Sequence, residues 1–188
     1  MPTTPSLVLS KAGPEDEPLL VNLFQYYLHD MAEWFGIDPG PDGRYEYDVA
    51  SVMKDGCDAY LARAGDSIAG FALIGSAPDW ISDPGAHDVR EFFVIRRFRR
   101  SGLGRRMAVL LWNERPGPWL VRVLEANAPA LLFWRSAIAD FARGSYHEQH
   151  AMGGGRAWRL FRFESPGSAP EANAGSAEPK PADGLDQH

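Results

Sequence analysis

The sequence predicts an α/β (α+β) domain in which helices cover the faces of a mixed β-sheet. The spacing of apolar residues changes along the chain between that of strands and that of helices, in the order β-α-α-β-β-β-α-β-α-β-β. Hydrophobic residues make up 45% of the 188 residues, which is enough for the core of one domain. Residues 165–188 are acidic and rich in Pro, Ala, Gly and Ser. We therefore expect a flexible N-terminus at residues 1–5, a folded domain at residues 6–164 and a disordered tail at residues 165–188.

The first half of the domain contains two predicted helices and three predicted strands. Acidic residues after Pro14 favour the start of the first helix, because they complement the positive end of the helix dipole. Apolar residues then recur at intervals of three and four as far as Trp34, which predicts one buried helix face. The predicted elements are a strand at Leu7–Leu9, the helix from Pro14 to Trp34, a loop at Asp38–Gly43, a short helix at Asp48–Lys54, and a hairpin of strands at Ala59–Ala64 and Ser67–Ile74.

The second half alternates strands with two helices and then ends in two strands. Pro129 favours the first turn of a helix, where its missing N–H costs no hydrogen bond, and the glycines at 153–155 favour a turn between the last two strands. The predicted elements are a strand at Val89–Ile95, a helix at Gly102–Asn113, a strand at Trp119–Leu124, a helix at Pro129–Phe141, and strands at Tyr146–Ala151 and Ala157–Phe163.

The composition and charge of the chain argue against several classes of protein. A net charge of -6 disfavours a general binder of nucleic acids or anionic membranes. The single Cys57 excludes an internal disulfide and a multi-cysteine zinc site, and we expect no metal. No apolar run is long enough to span a bilayer, and the first residues lack the features of a secretory signal. We therefore expect a cytoplasmic protein with no nucleic-acid or membrane partner.

The segment from Glu91 to Met107 carries the clearest chemical signal. An apolar strand is followed by six arginines within residues 96–106 and by Gly102-Leu-Gly104 at the start of an amphipathic helix. Glycines let an oxyanion approach the backbone, and the free N–H groups and dipole of a helix N-terminus attract it. Arginine side chains add charge-assisted hydrogen bonds. The pattern predicts a phosphate site, against the alternative of a plain loop-to-helix junction with solvated arginines.

Other phosphate-binding motifs fit this segment less well. A P-loop needs Gly-Lys-Ser/Thr, and the lysines of the chain lie far from Gly104. A dinucleotide fingerprint needs a third glycine, where this chain has Met107, and a tighter turn after Ile95. In its favour, Glu125 has the spacing of the acidic residue that follows such a fingerprint. A dinucleotide-binding oxidoreductase remains an alternative. Contact of the arginines with RNA or DNA is disfavoured by the acidic chain.

Two segments resemble the GNAT superfamily of acyl-CoA N-acyltransferases. Residues 99–104, Arg-Arg-Ser-Gly-Leu-Gly, resemble its R/Q-x-x-G-x-G/A signature, and residues 127–134 resemble its second CoA segment. Residues 91–94, 133–135 and 26–34 are similar to a subgroup of predicted acetyltransferases. The resemblance implies a mixed, mostly antiparallel central sheet of six to seven strands flanked by about four helices. It also implies an N-acetyltransferase that acts as a monomer or homodimer. Such an enzyme would bind acetyl-CoA and the acceptor in a ternary complex and move the acetyl group directly to a primary amine of a small molecule or peptide.

The resemblance further implies a binding site for acetyl-CoA. The backbone near Val94 would bind the pantetheine arm, the N–H groups of residues 100–105 would bind the pyrophosphate, and Asn127 and the aromatic pair after it would meet the thiol end. A helix cap at Asn127 and a core role for the aromatic pair are the alternatives. The implied cofactor residues are Phe93, Val94, Ile95, Arg99, Arg100, Ser101, Gly102, Leu103, Gly104, Arg105, Asn127, Ala130, Phe133 and Trp134.

Glu91 is the first candidate for the general base that an amine needs before it attacks a thioester. Alternation places Glu91 on one strand face with Phe93, where burial would raise the pKa of its carboxyl. Asp88 is the second candidate. The alternative for either carboxylate is a structural salt bridge, for example with Arg90 or Arg122.

The sequence leaves the general acid open. Trp134 stands where many GNAT members have the tyrosine that protonates the leaving thiolate, and an indole has no dissociable proton near neutrality. Tyr146, Tyr45 or solvent are the alternatives. The missing tyrosine also leaves a non-catalytic acyl-CoA-binding sensor as an alternative function.

The first predicted helix and the loop after it are the candidate acceptor site. Asp30 and Glu33 are three residues apart on one helix face, where they would attract a cationic amine. An ordinary helix, half core and half solvated surface, is the alternative. The candidate acceptor residues are Tyr27, Asp30, Glu33 and Tyr45.

Overall fold

The computed structural model describes residues 6–50, 56–76, 80–81, 83 and 85–167. Seven strands and three α-helices lie within these ranges. The strands are β1 (Leu7–Lys11), β2 (Asp58–Ala64), β3 (Ser67–Ser76), β4 (His87–Val94), β5 (Gly117–Leu124), β6 (Tyr146–Gly153) and β7 (Arg156–Ser165). The helices are α1 (Glu17–Phe35), α2 (Leu103–Glu114) and α3 (Ala128–Phe141).

The strands form one mixed sheet in the order β1-β2-β3-β4-β5-β7-β6. Neighbouring strands are antiparallel except for the parallel pair of β4 and β5. The prediction of a mixed, mostly antiparallel sheet of six to seven strands is therefore confirmed. Of the roughly four expected helices, three lie in the described ranges, because the short helix predicted at Asp48–Lys54 falls largely on residues 51–55, outside them.

The ends of α1 follow local backbone chemistry. A short 3-10 turn at Pro14–Asp16 leads into the helix, as the proline and the acidic residues predict. The helix ends at Gly36, which adopts a left-handed conformation with φ of 60° and donates its N–H to Ala32 O at 2.8 Å. At the other end of the chain, β7 runs to Ser165, the first residue of the predicted tail, and residues 168–188 lie outside the described part.

Helices cover both faces of the sheet and bury two separate apolar layers. One layer joins α1 to the odd-numbered residues of β3, and its buried members include Leu20, Leu23, Phe24, Phe71 and Leu73. The other joins α2 and α3 to the opposite face, and its buried members include Met107, Leu111, Trp112, Trp134 and Ile138. Burial of this apolar area is the main source of stability, and it fixes the positions of all three helices.

The parallel strands β4 and β5 separate along their length. Each has eight residues, but only His87, Asp88 and Val89 have register partners in β5. Beyond Val89, the edge of β4 that faces β5 is therefore open. Because the carboxyl ends of parallel strands lie at the same edge of a sheet, the segments that lead to α2 and α3 both leave from the wide end of this wedge.

Candidate active site

A β-bulge in β4 determines which side chains enter the wedge. The register with β3 shifts by one residue between Val89 and Glu91, so that Arg90 is an extra residue in β4. Simple alternation would place Asp88 and Glu91 on opposite faces of the sheet. With the bulge, their partners in β3 are two residues apart, so both carboxylates lie on the face that α1 covers.

A cavity of about 660 Å³ lies beside these carboxylates. It extends between α1, the separated ends of β4 and β5, and the start of α3. Most of its lining is apolar or aromatic, and its charged members are Glu46, Asp88, Arg90, Glu91 and Arg122. A concave site with a few charged groups in an apolar wall is typical of small-molecule binding.

Glu91 is held by two phenol groups. Tyr27 Oη donates to Glu91 Oε2, and Tyr47 Oη donates to Glu91 Oε1 at 3.0 Å. Burial raises the pKa of Glu91, and the two hydrogen bonds partly oppose that rise. Burial and the neighbouring carboxylate also raise the pKa of both tyrosines, so they stay protonated. A carboxylate with a raised pKa, bound to neutral donors inside a cavity, can take up a proton.

Asp88 forms a buried ion pair. Its side chain is 1% exposed, and Arg122 donates from Nε to Oδ1 at 3.0 Å and from Nη2 to Oδ2 at 2.7 Å. Arg90 Nε lies 3.9 Å from Oδ2. Burial raises the pKa of Asp88, and the hydrogen bonds and charge of Arg122 oppose it. This is the bidentate geometry of a structural salt bridge, one of the two alternatives that the sequence left open.

The Gly-x-Gly segment forms the N-terminus of α2. Arg100 and Gly102 have positive φ, 61° and 82°, and these left-handed residues turn the chain into the helix. At the start of α2, Arg106 N donates a hydrogen bond to Gly102 O at 3.1 Å. A methyl group on Gly104 would lie 3.4 Å from the ring of Phe133, so the helix start packs tightly against α3. The preceding N–H groups have no acceptor within the helix, as is general at a helix N-terminus, so they can donate to an anion.

The arginines beside this helix start differ in their partners. Arg99 forms an ion pair with Asp30 and donates from Nε to Val94 O at 2.6 Å. Arg105 also forms an ion pair, with Asp140. Arg100 is exposed, and no ion pair is found for it among the described residues. Arg100 is therefore the arginine of the signature that is free to meet a phosphate.

The second predicted CoA segment lies across the wedge, at the start of α3. Asn127 caps this helix by accepting a hydrogen bond from Ala130 N at 3.1 Å, and both residues also line the cavity. Trp134 is 7% exposed, and its ring centroid lies 4.8 Å from that of Phe92 and 4.9 Å from that of Phe133. Trp134 therefore belongs to the core and to the cavity wall together.

The structure separates the predicted acceptor residues. Tyr27 lines the cavity, but Asp30 and Glu33 do not. Asp30 is paired with Arg99 and Arg96, and although partial burial favours the protonated form, hydrogen bonds from the two arginines lower the pKa of Asp30. Glu33 is exposed. Tyr45 lies in a neighbouring groove, with its hydroxyl 3.3 Å from His29 Nδ1.

The tyrosines considered as general acids lie away from Glu91. Tyr146 begins β6, and its ring centroid lies 6.2 Å from that of Phe161; neither Tyr146 nor Tyr45 lines the cavity. The tyrosines that do line the cavity are Tyr27 and Tyr47. Sequence reasoning did not connect Tyr47 to Glu91, because 44 residues separate them and no local pattern signals the contact.

Solved structures share this arrangement of strands and helices over most of the chain. A structure from Desulfovibrio desulfuricans, assigned to the GNAT family of acetyltransferases, matches with a TM-score of 0.58 and 18% identity, over 85% of this chain and 99% of its own. The chain has the GNAT fold. The fold expected from the signature segment is therefore confirmed. Neither a family model nor a curated protein matches the sequence.

Two other structures with the GNAT fold contain CoA. An aminoglycoside acetyltransferase in complex with CoA has a TM-score of 0.62 and 15% identity, over 85% of this chain and 95% of its own. The spermidine N-acetyltransferase of Vibrio cholerae, in complex with CoA and spermine, has a TM-score of 0.58 and 12% identity, over 85% and 95% of the two chains. At these identities, the likeness shows the fold.

The described residues show neither a cluster of metal-binding side chains nor a membrane-spanning helix. No group of three or more His, Cys, Asp or Glu side chains is placed to hold a metal ion in the described ranges. No helix in that part of the chain has both the length and the hydropathy needed to cross a bilayer.

Proposed function

We propose that this protein is an N-acetyltransferase that moves an acetyl group from acetyl-CoA directly to a primary amine. The observation that carries the proposal is the wedge between β4 and β5. An open strand edge, a glycine-rich helix start and a carboxylate with a raised pKa all border it. These are the three parts that a CoA thioester and an amine acceptor require.

The residues present fit acetyl-CoA. The pantetheine arm carries amide groups, which can pair with the open edge of β4 near Val94 as an added strand would. The pyrophosphate fits the N–H groups at the start of α2, with Arg100 as its charge partner. The thioester then faces the cavity between Asn127 and Glu91.

The proposed transfer is a direct attack of the amine on the thioester. Glu91, through a water molecule, accepts a proton from the ammonium group, and the neutral nitrogen forms a C–N bond with the acetyl carbon. The C–S bond breaks, the nitrogen loses its second proton to solvent to give the neutral amide, and CoA leaves as a thiolate that takes its proton from solvent. Tyr27 and Tyr47 position the carboxylate through their hydrogen bonds. Because their pKa is raised, they are poor proton donors to a thiolate, and we assign them no role as general acid. Asp88 holds Arg122 in place.

One observation favours a second function, an acyl-CoA sensor without turnover. Trp134 supplies no acidic proton at the position where the resemblance expects a tyrosine. A dinucleotide-binding oxidoreductase is not supported, because the described strands include a single parallel pair rather than a doubly wound parallel sheet. A cytoplasmic location and a monomeric or homodimeric state remain predictions from the sequence.

Calorimetric titration of acetyl-CoA, CoA and NADH into the full chain tests the proposal. We expect acetyl-CoA and CoA to bind and NADH not to bind. Gly102→Asp places a negative charge at the pyrophosphate site and should weaken CoA binding. Gly65→Asp is the matched control, because Gly65 also has positive φ, 58°, and open space around it, but lies in the β2–β3 turn.

Four outcomes separate the three functions. A folded protein that binds no CoA contradicts the proposal, and binding of NADH instead supports the dinucleotide alternative. Tight CoA binding without product from any amine supports the sensor. Binding that Gly102→Asp weakens and Gly65→Asp preserves, together with release of free thiol in the presence of an amine, supports the acetyltransferase.

A further inference from the structure

One end of the cavity is an aromatic wall formed by Phe35, Trp80 and Trp158. The ring centroids of Phe35 and Trp158 are 6.2 Å apart, and those of Trp80 and Trp158 are 5.5 Å apart. The three residues come from the end of α1, the segment before β4, and β7. Trp158 pairs with Leu124, so the wall lies at the carboxyl end of β5, where the guanidinium group of Arg122 is 5.0 Å from the centre of the Trp80 ring.

The aromatic wall is held in a fixed conformation. Trp158 Nε1 donates to Gly153 O at 3.0 Å, so its polar atom is satisfied. Trp80 lies directly on Gly153, where even a methyl group would come within 2.3 Å of the indole. A rigid aromatic surface binds a flat apolar group at a small entropic cost.

The charged groups of the cavity are unevenly paired. Asp88 and Arg122 neutralise each other, and Arg90 is tied to Ser76 O at 3.1 Å near the same pair. Glu91 has only neutral hydroxyl donors among its described hydrogen bonds. Glu46 lies at the exposed mouth, and no ion pair or hydrogen bond is found for it in the described ranges. Three carboxylates against two guanidinium groups leave the cavity with a net negative charge when all are ionised.

We infer that the acceptor is a primary amine with one cationic group on an aromatic body and with no carboxylate. This inference rests on the proposed acetyltransferase function and names its substrate class. The ammonium group meets Glu46 at the mouth and then Glu91, while the ring packs on the aromatic wall. A long polycation is disfavoured, because Asp30 and Glu33, the further carboxylates of α1, do not line the cavity.

A panel of four amines tests the inference on the wild-type chain with acetyl-CoA. The pair 2-phenylethylamine and phenylalanine differs by one carboxylate, propylamine lacks the ring, and spermidine is a flexible polycation. We expect kcat/KM for 2-phenylethylamine to exceed that for phenylalanine at least about tenfold, since a like charge is costly in this cavity. Loss of the ring should reduce kcat/KM at least about tenfold as well.

Two variants with matched controls test the named residues. Trp158→Leu should lower kcat/KM for 2-phenylethylamine about fivefold and leave propylamine unchanged. The control Tyr26→Leu alters a tyrosine that is 65% exposed and lies outside the cavity lining. Glu46→Gln should raise KM for 2-phenylethylamine about threefold, an effect that salt reduces, whereas Glu33→Gln should not.

The outcomes distinguish the inference from the function on which it rests. If calorimetry shows no binding of acetyl-CoA, both fail together. If acetyl-CoA binds and phenylalanine, propylamine or spermidine is acetylated as efficiently as 2-phenylethylamine, the substrate class is wrong and the acetyltransferase function stands. Absence of any product from 2-phenylethylamine also overturns the inference. These readings use the wild-type chain, so they hold even if Trp158→Leu does not fold.

Discussion

Two carboxylates lie three residues apart on one face of β4, in opposite electrostatic surroundings. Asp88 meets the guanidinium group of Arg122, whereas Glu91 meets the neutral hydroxyl groups of Tyr27 and Tyr47. Burial raises the pKa of both carboxyls. The comparison teaches that burial alone does not make a base. The ion pair commits Asp88 to a structural role, and the neutral donors leave Glu91 able to exchange a proton.

Removal of the structural carboxylate should have the largest effect on stability. Asp88→Ala leaves Arg122 without its partner beside the core, so we expect the free energy of unfolding to fall by about 3 kcal/mol. Urea denaturation measures this loss. Asp140→Ala breaks the exposed pair with Arg105 and should change stability by less than about 1 kcal/mol. Equal losses in the two variants would remove the distinction between a buried and an exposed pair.

Glu91→Gln should separate catalysis from binding. The amide keeps the shape of the side chain but cannot take up a proton, so kcat should fall at least about a hundredfold. The affinity for acetyl-CoA, measured by calorimetry, should stay the same, because Glu91 lies apart from the proposed phosphate site. Retained kcat in Glu91→Gln would show that the two carboxylates of β4 are both structural.

The pH profile should report the raised pKa of Glu91. If the ionised carboxylate is required, kcat/KM falls as the pH is lowered through that pKa, at a midpoint above the ordinary glutamate value of about 4.3. Tyr47→Phe removes a hydrogen bond that lowers the pKa, so the midpoint should move to higher pH. Tyr45→Phe is the control, since its hydroxyl contacts His29 instead. An unchanged midpoint in Tyr47→Phe would contradict the assignment.

The smallest effect should be a gain in stability in Glu91→Gln. A carboxyl whose pKa is raised by folding contributes stability at low pH, and this contribution is lost as the pH rises through the folded pKa. At neutral pH the amide avoids that penalty but can accept a hydrogen bond from only one of the two phenols, so we expect thermal unfolding to show a gain of no more than about 1 kcal/mol. The gain should shrink in acid, where Glu91 of the wild type is protonated. A loss of stability at neutral pH would contradict this interpretation.

The sequence predicted the elements of the fold and the position of the glycine-containing helix start because both depend on local patterns. Apolar periodicity located the strands and helices to within a few residues, and Gly102-Leu-Gly104 begins α2 as expected. The parts of a helix N-terminus are contiguous in the chain. A local motif therefore carries nearly all the information needed to find it.

The partners of the charged side chains were beyond local patterns. Asp30 has the helical position expected of an acceptor residue, but it binds Arg96 and Arg99, which lie 66 and 69 residues further along the chain. Glu46 and the aromatic wall enter the cavity from four separate segments. Tertiary packing, above all that of α1 on the sheet, determines these contacts. No short segment of the sequence contains the information needed to predict that packing.

The extra residue in β4 has a consequence for how site residues are transferred between distant relatives. An alignment that matches β4 without a gap at Arg90 assigns every position before it to the wrong side of the sheet. By the same logic, deletion of Arg90 would turn Asp88 away from Arg122 and into the apolar layer beneath α2 and α3. Insertions and deletions of single residues, more than substitutions, are therefore the changes that can assemble or dismantle this pair of carboxylates.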